Sequence, residues 1–162
     1  DLHPTASDIV GYRAKRHSRV IDLAGIGAHA IEDFWEPVRA REARIVLDPG
    51  EFYILASKEK IVIPLDEAAE MAPIAPELGE FRAHYAGFFD PGFGVTHTKG
   101  KAVLEVRSRD VPFILEDGQP VGRLVFEKLT GKPDVPYGAE GSFSTYHGQG
   151  LRLSKYFENT GE

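Results

Sequence analysis

The 162-residue sequence contains no cysteine, one tryptophan and one methionine. The absence of thiols excludes a disulfide framework and a thiolate metal site, and it is consistent with a cytoplasmic location. No apolar run approaches the roughly 18 residues that a membrane helix needs. The opening DLHPTASDIVG has neither a Met nor a signal pattern, so we expect one domain from a longer chain, without membrane contact.

Positive charge is also scarce. Residues 1–90 carry 10 Lys and Arg against 16 Asp and Glu, whereas residues 91–162 carry 9 against 9, for a net charge of -6. Binding along a nucleic-acid backbone needs a basic stripe, which this distribution does not supply. A small anionic ligand needs only a few convergent cations, and the neutral second half can provide them.

Short β-branched and aromatic runs with Gly and Pro punctuation dominate the chain. Such spacing predicts an all-β barrel or jelly roll with few short helices. Only residues 26–35 and 65–72 have a helical pattern, and the Gly-rich end, from about 136 to 162, reads as an arm. The predicted strands are 19–25, 43–48, 51–57, 60–66, 80–89, 101–108, 111–115 and 122–129.

A carboxylate lies inside one of these strands, KAVLEVRS. Alternation places Ala102, Leu104 and Val106 on one apolar face, and Glu105 on the other face two residues before Arg107. A solvent face with a surface ion pair worth at most roughly 1 kcal/mol explains this pattern. A cleft that tunes the carboxylate for proton transfer is the functional alternative.

Two further elements have structural and functional interpretations. Asp90 precedes Pro91 and Gly92, which is a standard β-turn sequence, but such an ordered Asp could also bind a sugar hydroxyl or a water. The tail combines Tyr137, Tyr146 and Gln149 with many glycines, which suits either a flexible arm or a ligand-covering lid. The six histidines show no metal-ligand spacing, and without cysteine the zinc-deaminase pattern is excluded.

Three segments in this order, FFDPGFG…AVLEV, DGQPVGRLVFEKLTG and PYG…TYHGQG, resemble the dCTP deaminase branch of the dUTPase-like superfamily. The resemblance runs from about residue 43 to 150, and the opening segments resemble the second half of a long bacterial form with two fused domains. It implies one distorted jelly-roll domain over 1–162. It also implies a homo-oligomer, either a trimer or a pseudo-hexameric assembly of fused domains, with nucleotide sites at domain interfaces.

The resemblance also implies the chemistry. Glu105 matches the catalytic glutamate, which serves as general acid and base while water adds to cytosine C4 without zinc. Deoxycytidine and deoxyuridine nucleotides are the expected ligands, with Mg²⁺ accompanying the triphosphate and no tightly bound cofactor. The expected nucleotide-binding residues are Asp90, Gly92, Arg107, Arg123, Tyr137, Tyr146 and Gln149.

One element departs from the family pattern. Where Ser-Ser-x-x-Arg normally contacts phosphate, this chain reads MAPIAPELGEF, with acidic Glu77 and Glu80 that would repel a triphosphate. Three alternatives follow. The domain deaminates dCTP with phosphate contacts from a partner domain, it is a catalytically degenerate domain for trimer assembly or nucleotide binding, or it is a dUTP diphosphatase in which Asp90 positions a water.

Overall fold

The computed structural model describes residues 1–2, 8–74, 81–84, 87–95, 100–142 and 150–158. Their regular elements are ten strands and one four-residue helix, α1. The predicted all-β class is therefore confirmed. The elements are β1 (Gly11–Ala14), α1 (Ile31–Phe34), β2 (Trp35–Val38), β3 (Arg44–Leu47), β4 (Phe52–Ile61), β5 (Glu67–Ala72), β6 (Phe81–His84), β7 (Phe88–Phe89), β8 (Gly100–Ser108), β9 (Phe113–Glu116) and β10 (Arg123–Lys128).

The strands pair in three antiparallel sheets. The largest has the order β2-β1-β4-β8-β6, the second β10-β5-β7, and the third pairs β3 with β9. Within the described ranges, none of these sheets closes into a barrel. In the same ranges, no helix is long and apolar enough to cross a membrane.

Two apolar clusters cover the opposite faces of the largest sheet. The first contains Tyr53 and Leu55 of β4 with Leu104 and Val106 of β8, and it also includes residues of the two smaller sheets. The second contains Ile54, the β4 residue that alternation turns to the other face. Each large side chain buried in this way contributes roughly 1.5–3 kcal/mol. The buried members of the second cluster are Tyr12, Phe34, Ile54, Leu153 and Phe157.

The C-terminal segment 150–158 is docked onto the second cluster. The amides of Gly27 and His29 donate to the carbonyls of Lys155 and Tyr156, at 2.9 and 3.2 Å. The ring of Phe157 contacts Phe34 edge-to-face, with centroids 5.5 Å apart. The end of the chain therefore covers part of the largest sheet.

Four local predictions were wrong. The expected separate strand 60–66 is present only at residues 60–61, which end β4, and residues 62–66 form no strand. Residues 65–72 were expected to be helical, but 67–72 form β5 because β10 and β7 offer it backbone partners on both sides. The expected strand 19–25 is a loop with a turn at residues 23–24. Of the predicted helix 26–35, only Ile31–Phe34 is helical, and the following residues pair as β2.

Candidate active site

Glu105 lies near the middle of β8, in the interior of the largest sheet. It is paired with Ile54 of β4 on one side and with His84 of β6 on the other. Alternation along β8 turns it to the face of the second cluster, the face that Val103 also contacts. The side chain is half-buried. Two neighbouring strands thus fix the position of this carboxylate to within the register of the sheet.

Arg107 does not pair with Glu105. Its guanidinium lies over the ring of Phe52, 5.0 Å from the ring centroid, and Phe52 is its register partner on β4. Among the residues that the structure describes, none forms a hydrogen bond or an ion pair with the Glu105 carboxylate. The surface ion pair that the sequence allowed is absent from this part of the chain.

Phe52 is the residue of this surface that the sequence analysis missed. Its ring lies 6.1 Å from that of Trp35, and Trp35 in turn contacts Phe157 at 5.9 Å. A row of rings therefore connects Arg107 with the docked C-terminal segment. The signal was the register of two predicted strands, because pairing 51–57 with 101–108 in antiparallel order places an aromatic residue opposite Arg107.

Asp90 begins a tight corner between β7 and β8. The amide of Phe93 donates to the carbonyl of Asp90 at 3.1 Å, which closes a β-turn. The corner is also tied to the end of β4, because Gly92 donates to the Ile63 carbonyl at 3.1 Å and Ile63 donates to the Phe93 carbonyl at 2.9 Å. The Asp90 side chain itself is exposed. The corner thus presents a carboxylate on a well-anchored backbone.

Two glycines make this corner possible. Gly92 and Gly94 have φ values of +92° and +73°, in the left-handed region that other residues avoid. At Gly94 the backbone also approaches closely, since an added Cβ would lie 2.2 Å from the carbonyl oxygen of Ile61. Gly92 therefore has a structural reason to be glycine, whatever its part in ligand binding.

Tyr137 packs against the same corner. Its amide donates to the Pro91 carbonyl at 3.0 Å, and its half-buried ring lies 5.6 Å from that of Phe93. The start of the expected arm is therefore fixed beside Asp90, and the segment 150–158 is fixed on the second cluster. Tyr146 and Gln149, the other predicted arm residues, and the acidic Glu77 and Glu80 lie outside the described residues.

The predicted site residues therefore fall into three places. Asp90, Gly92 and Tyr137 share the corner, which contacts β8 at Gly100 through the ring of Phe93. Glu105 and Arg107 lie farther along β8. Glu105 is five residues from Gly100, which is about 17 Å at the rise of a strand. Arg123 is exposed at the start of β10, opposite Ala72 of β5.

Arg123 is also distant from the corner along its own sheet. Phe89, which precedes Asp90, pairs with Ala69, so Ala72 and Arg123 lie three residues away, about 10 Å along β5. Within the described ranges, no group of three or more His, Asp or Glu side chains is arranged to hold a metal ion.

A solved structure shares this fold. The crystal structure of 2'-deoxycytidine 5'-triphosphate deaminase from Agrobacterium tumefaciens matches with 53% sequence identity and a TM-score of 0.76, over 82% of this chain and 40% of that chain. The fold is thus of the dCTP deaminase, dUTPase-like class. The chain belongs to the family described as 2'-deoxycytidine 5'-triphosphate deaminase (DCD), C-terminal domain, whose model matches residues 1–157.

Curated relatives agree with this assignment. A protein of Streptomyces griseus named dCTP deaminase, dUMP-forming, is 36% identical over 118 residues, which are 70% of this chain and 59% of that protein. A protein of Methanosphaera stadtmanae with the same name is 31% identical over 134 residues, 80% of this chain and 66% of that protein. The chain thus spans roughly three fifths of the length of these relatives.

Proposed function

We propose that this domain takes part in the deamination of dCTP to dUTP and ammonia, with Glu105 as the general acid and base. Water adds to C4 of the cytosine while the carboxylate accepts one of its protons. Glu105 then delivers that proton to the amino group, the C4–N4 bond breaks and ammonia leaves, while the second water proton moves from O4 to N3 of the ring. The sum is dCTP plus water to dUTP plus ammonia, with Glu105 returned to its initial state.

The observation that carries this proposal is the position of the Glu105 carboxylate and its lack of a partner among the described residues. It is half-buried in mid-sheet, and among the described residues nothing pairs with it, while the nearby Arg107 is held over Phe52. A carboxylate used only for solubility or for an ion pair does not need such a position. Proton transfer needs a shielded group within roughly 2.6–3.2 Å of the reacting atoms, and two flanking strands can hold it there.

The rest of the site comes from the same proposal. Asp90 contacts the deoxyribose, Gly92 lets the backbone approach it, and Tyr137 covers the corner. Arg107 and Arg123 bind the nucleotide together with Tyr146 and Gln149. Because their places on the chain are far apart, we propose that a site is completed across an interface in a homo-oligomer, where the partner domain supplies the missing phosphate contacts.

Mg²⁺ arrives with the triphosphate and is bound by the substrate. The proposed reaction uses no tightly bound cofactor and no zinc. The proposed location of the protein is the cytoplasm. The assembly is a trimer or a pseudo-hexameric arrangement of fused domains, in which each interface places the corner of one domain near the residues of another.

A second candidate product is dUMP. It is favoured by the names of the curated relatives, which describe them as dUMP-forming. In this reaction a water attacks phosphorus after deamination and diphosphate leaves. The exposed Asp90 is the residue that would orient such a water. A diphosphatase acting on dUTP alone would use the same carboxylate without Glu105.

One assay of the full-length protein separates these possibilities. With dCTP as substrate, ammonia is measured together with dUTP, dUMP and diphosphate. We expect Glu105→Gln to lower ammonia release by about 10²–10⁴-fold, with dCTP binding retained by calorimetry. Glu127→Gln, at an exposed glutamate of β10, is the matched control and should leave turnover unchanged.

Each other outcome identifies an alternative. Unchanged ammonia release in Glu105→Gln would contradict a catalytic Glu105 and favour a degenerate domain kept for assembly or nucleotide binding. Diphosphate released from dUTP, with no ammonia from dCTP, would favour the diphosphatase.

A further inference from the structure

The loop of residues 18–28, here called the apolar loop, exposes three large apolar side chains. The exposed fractions are 93% for Val20, 67% for Leu23 and 70% for Ile26. The sequence pattern had predicted a strand here because the segment is as apolar as a buried one. Single exposed apolar residues are ordinary, but three within seven positions form a patch that typically marks an interaction site.

Specific hydrogen bonds hold the apolar loop in shape. Asp22 accepts from the amide of Ala24 with its side chain at 3.0 Å and from the amide of Gly25 with its carbonyl at 3.3 Å. The Asp22 amide donates to Nε2 of His29 at 3.1 Å. The Gly27 amide donates to the Lys155 carbonyl at 2.9 Å.

The patch is therefore preorganised, and a partner would not need to pay for ordering it. The three side chains are exposed and do not belong to the second cluster, although the loop is anchored to the C-terminal segment that packs on it. Burial of these side chains therefore requires a contact with a surface outside this domain.

We propose that the apolar loop docks on the domain that precedes this one in the full-length polypeptide. The chain matches the model of a C-terminal domain. Its match to the Agrobacterium protein covers only 40% of that chain, so 60% (100 minus 40) lies outside the match. A further domain on the same polypeptide is thus the nearest available partner.

The size of the patch favours a tethered partner over a second copy of this chain. Stable contacts between separate chains bury about 1,200–2,000 Å², and three side chains supply a small part of that. A domain on the same polypeptide stays at an effective concentration of about millimolar, so a smaller contact suffices. Contacts between domains of one chain accordingly run from about 600 Å² upward.

Site-specific cross-linking in the full-length protein tests this partner. The 162 residues contain no cysteine, so Leu23→Cys gives one labelling site in this domain once any cysteines elsewhere are replaced by serine. A thiol-linked photoreactive group is attached, irradiated and mapped by mass spectrometry. The control is Val46→Cys, at an apolar residue of β3 that is 54% exposed.

We expect Leu23→Cys to link to peptides of the preceding domain with a yield about tenfold above that of Val46→Cys, since a tethered docked domain stays in contact. Links that join two polypeptides through this domain, seen as a covalent dimer on a denaturing gel, would identify a second copy as the occupant and overturn the proposal. The absence of linked peptides, or equal yields at the two sites, would overturn it as well.

A second measurement covers the loop as a whole. The full-length triple variant Val20→Ser, Leu23→Ser and Ile26→Ser changes only exposed side chains, so the domain should fold as before, which circular dichroism checks. Hydrogen exchange in the preceding domain should accelerate about tenfold where it contacts the loop, because docking hides those amides. Unchanged exchange there would show that the loop contacts nothing.

Discussion

Replacing Gly94 by alanine tests how firmly the Asp90 corner is attached to the largest sheet. The residue has a φ of +73°, and an added Cβ would lie 2.2 Å from the carbonyl oxygen of Ile61. Such a distance is impossible for two non-bonded atoms, so the corner must shift away from β4. The shift would strain or break the two hydrogen bonds that join Ile63 to Gly92 and Phe93.

The magnitude follows from these two effects. A residue with a side chain in the left-handed region costs about 1–2 kcal/mol. Each backbone hydrogen bond that is lost costs about 0.5–1.5 kcal/mol, and two of them are at risk. Gly94→Ala should therefore lower the free energy of unfolding by about 2–5 kcal/mol.

Gly118→Ala provides a matched control. Gly118 has the same φ of +73°, but nothing lies within 4 Å of its added Cβ. It should lose only the backbone contribution of about 1–2 kcal/mol. Urea and thermal unfolding followed by circular dichroism measure both variants, and a difference of about 2 kcal/mol corresponds to roughly 4–8 °C in Tm for a domain of this size. Equal losses would refute the close packing of the corner against Ile61.

Two further predictions concern the edges of the fold. Phe157→Ala should lower the free energy of unfolding by about 3–5 kcal/mol and speed hydrogen exchange at the Gly27 amide. The control Phe126→Ala, at a half-exposed ring, should do neither. Slow exchange at Gly27 in Phe157→Ala would contradict the docking of the C-terminal segment. The hydrogen bond from Arg13 lowers the pKa of Glu36, so this pair stabilises the fold above the ordinary pKa of roughly 4.3 and its contribution disappears as the pH falls through the lowered value. Glu36→Gln should therefore lose less Tm than the parent between about pH 6 and about pH 3, and identical losses would contradict the pairing.

β8 was the element best predicted from the sequence. The run 101–108 alternates between apolar and other residues, and the structure has a strand at Gly100–Ser108 with Ala102, Leu104 and Val106 in the first cluster. Alternation of this kind is decided within the segment, because one face is fully buried and the other only partly. The face that carries Glu105 was therefore predicted together with the strand.

The wrong predictions concern segments whose structure is decided by distant residues. The Ala-rich β5 has the composition of a helix, but its backbone bonds to β10 and β7 override that propensity. The apolar loop has the composition of a buried strand, but its side chains are exposed. Hydrogen bonds to His29 and to Lys155, which is distant in sequence, hold it in place as a loop. Local composition contains neither fact.

The candidate site was predictable in part for the same reason. A turn at Asp90 follows from Asp-Pro-Gly, but the docking of Tyr137 on it depends on contacts 46 residues apart in sequence (137 minus 91). Arg107 does not pair with Glu105 because its guanidinium lies over the ring of Phe52, which is on another strand. The roles of the predicted site residues remain predictions that the Glu105→Gln experiment tests first.

The register of β8 has a consequence for how the chain reaches its native state. Sliding this strand by one position would turn Glu105 into the first cluster and move Leu104 and Val106 out of it, to the face of the second cluster. Burying an unpaired charge and losing two core side chains at once would leave such a species without a stable structure. Molecules that fold therefore carry Glu105 on the face of the second cluster, because the pairing of the sheet itself selects this register.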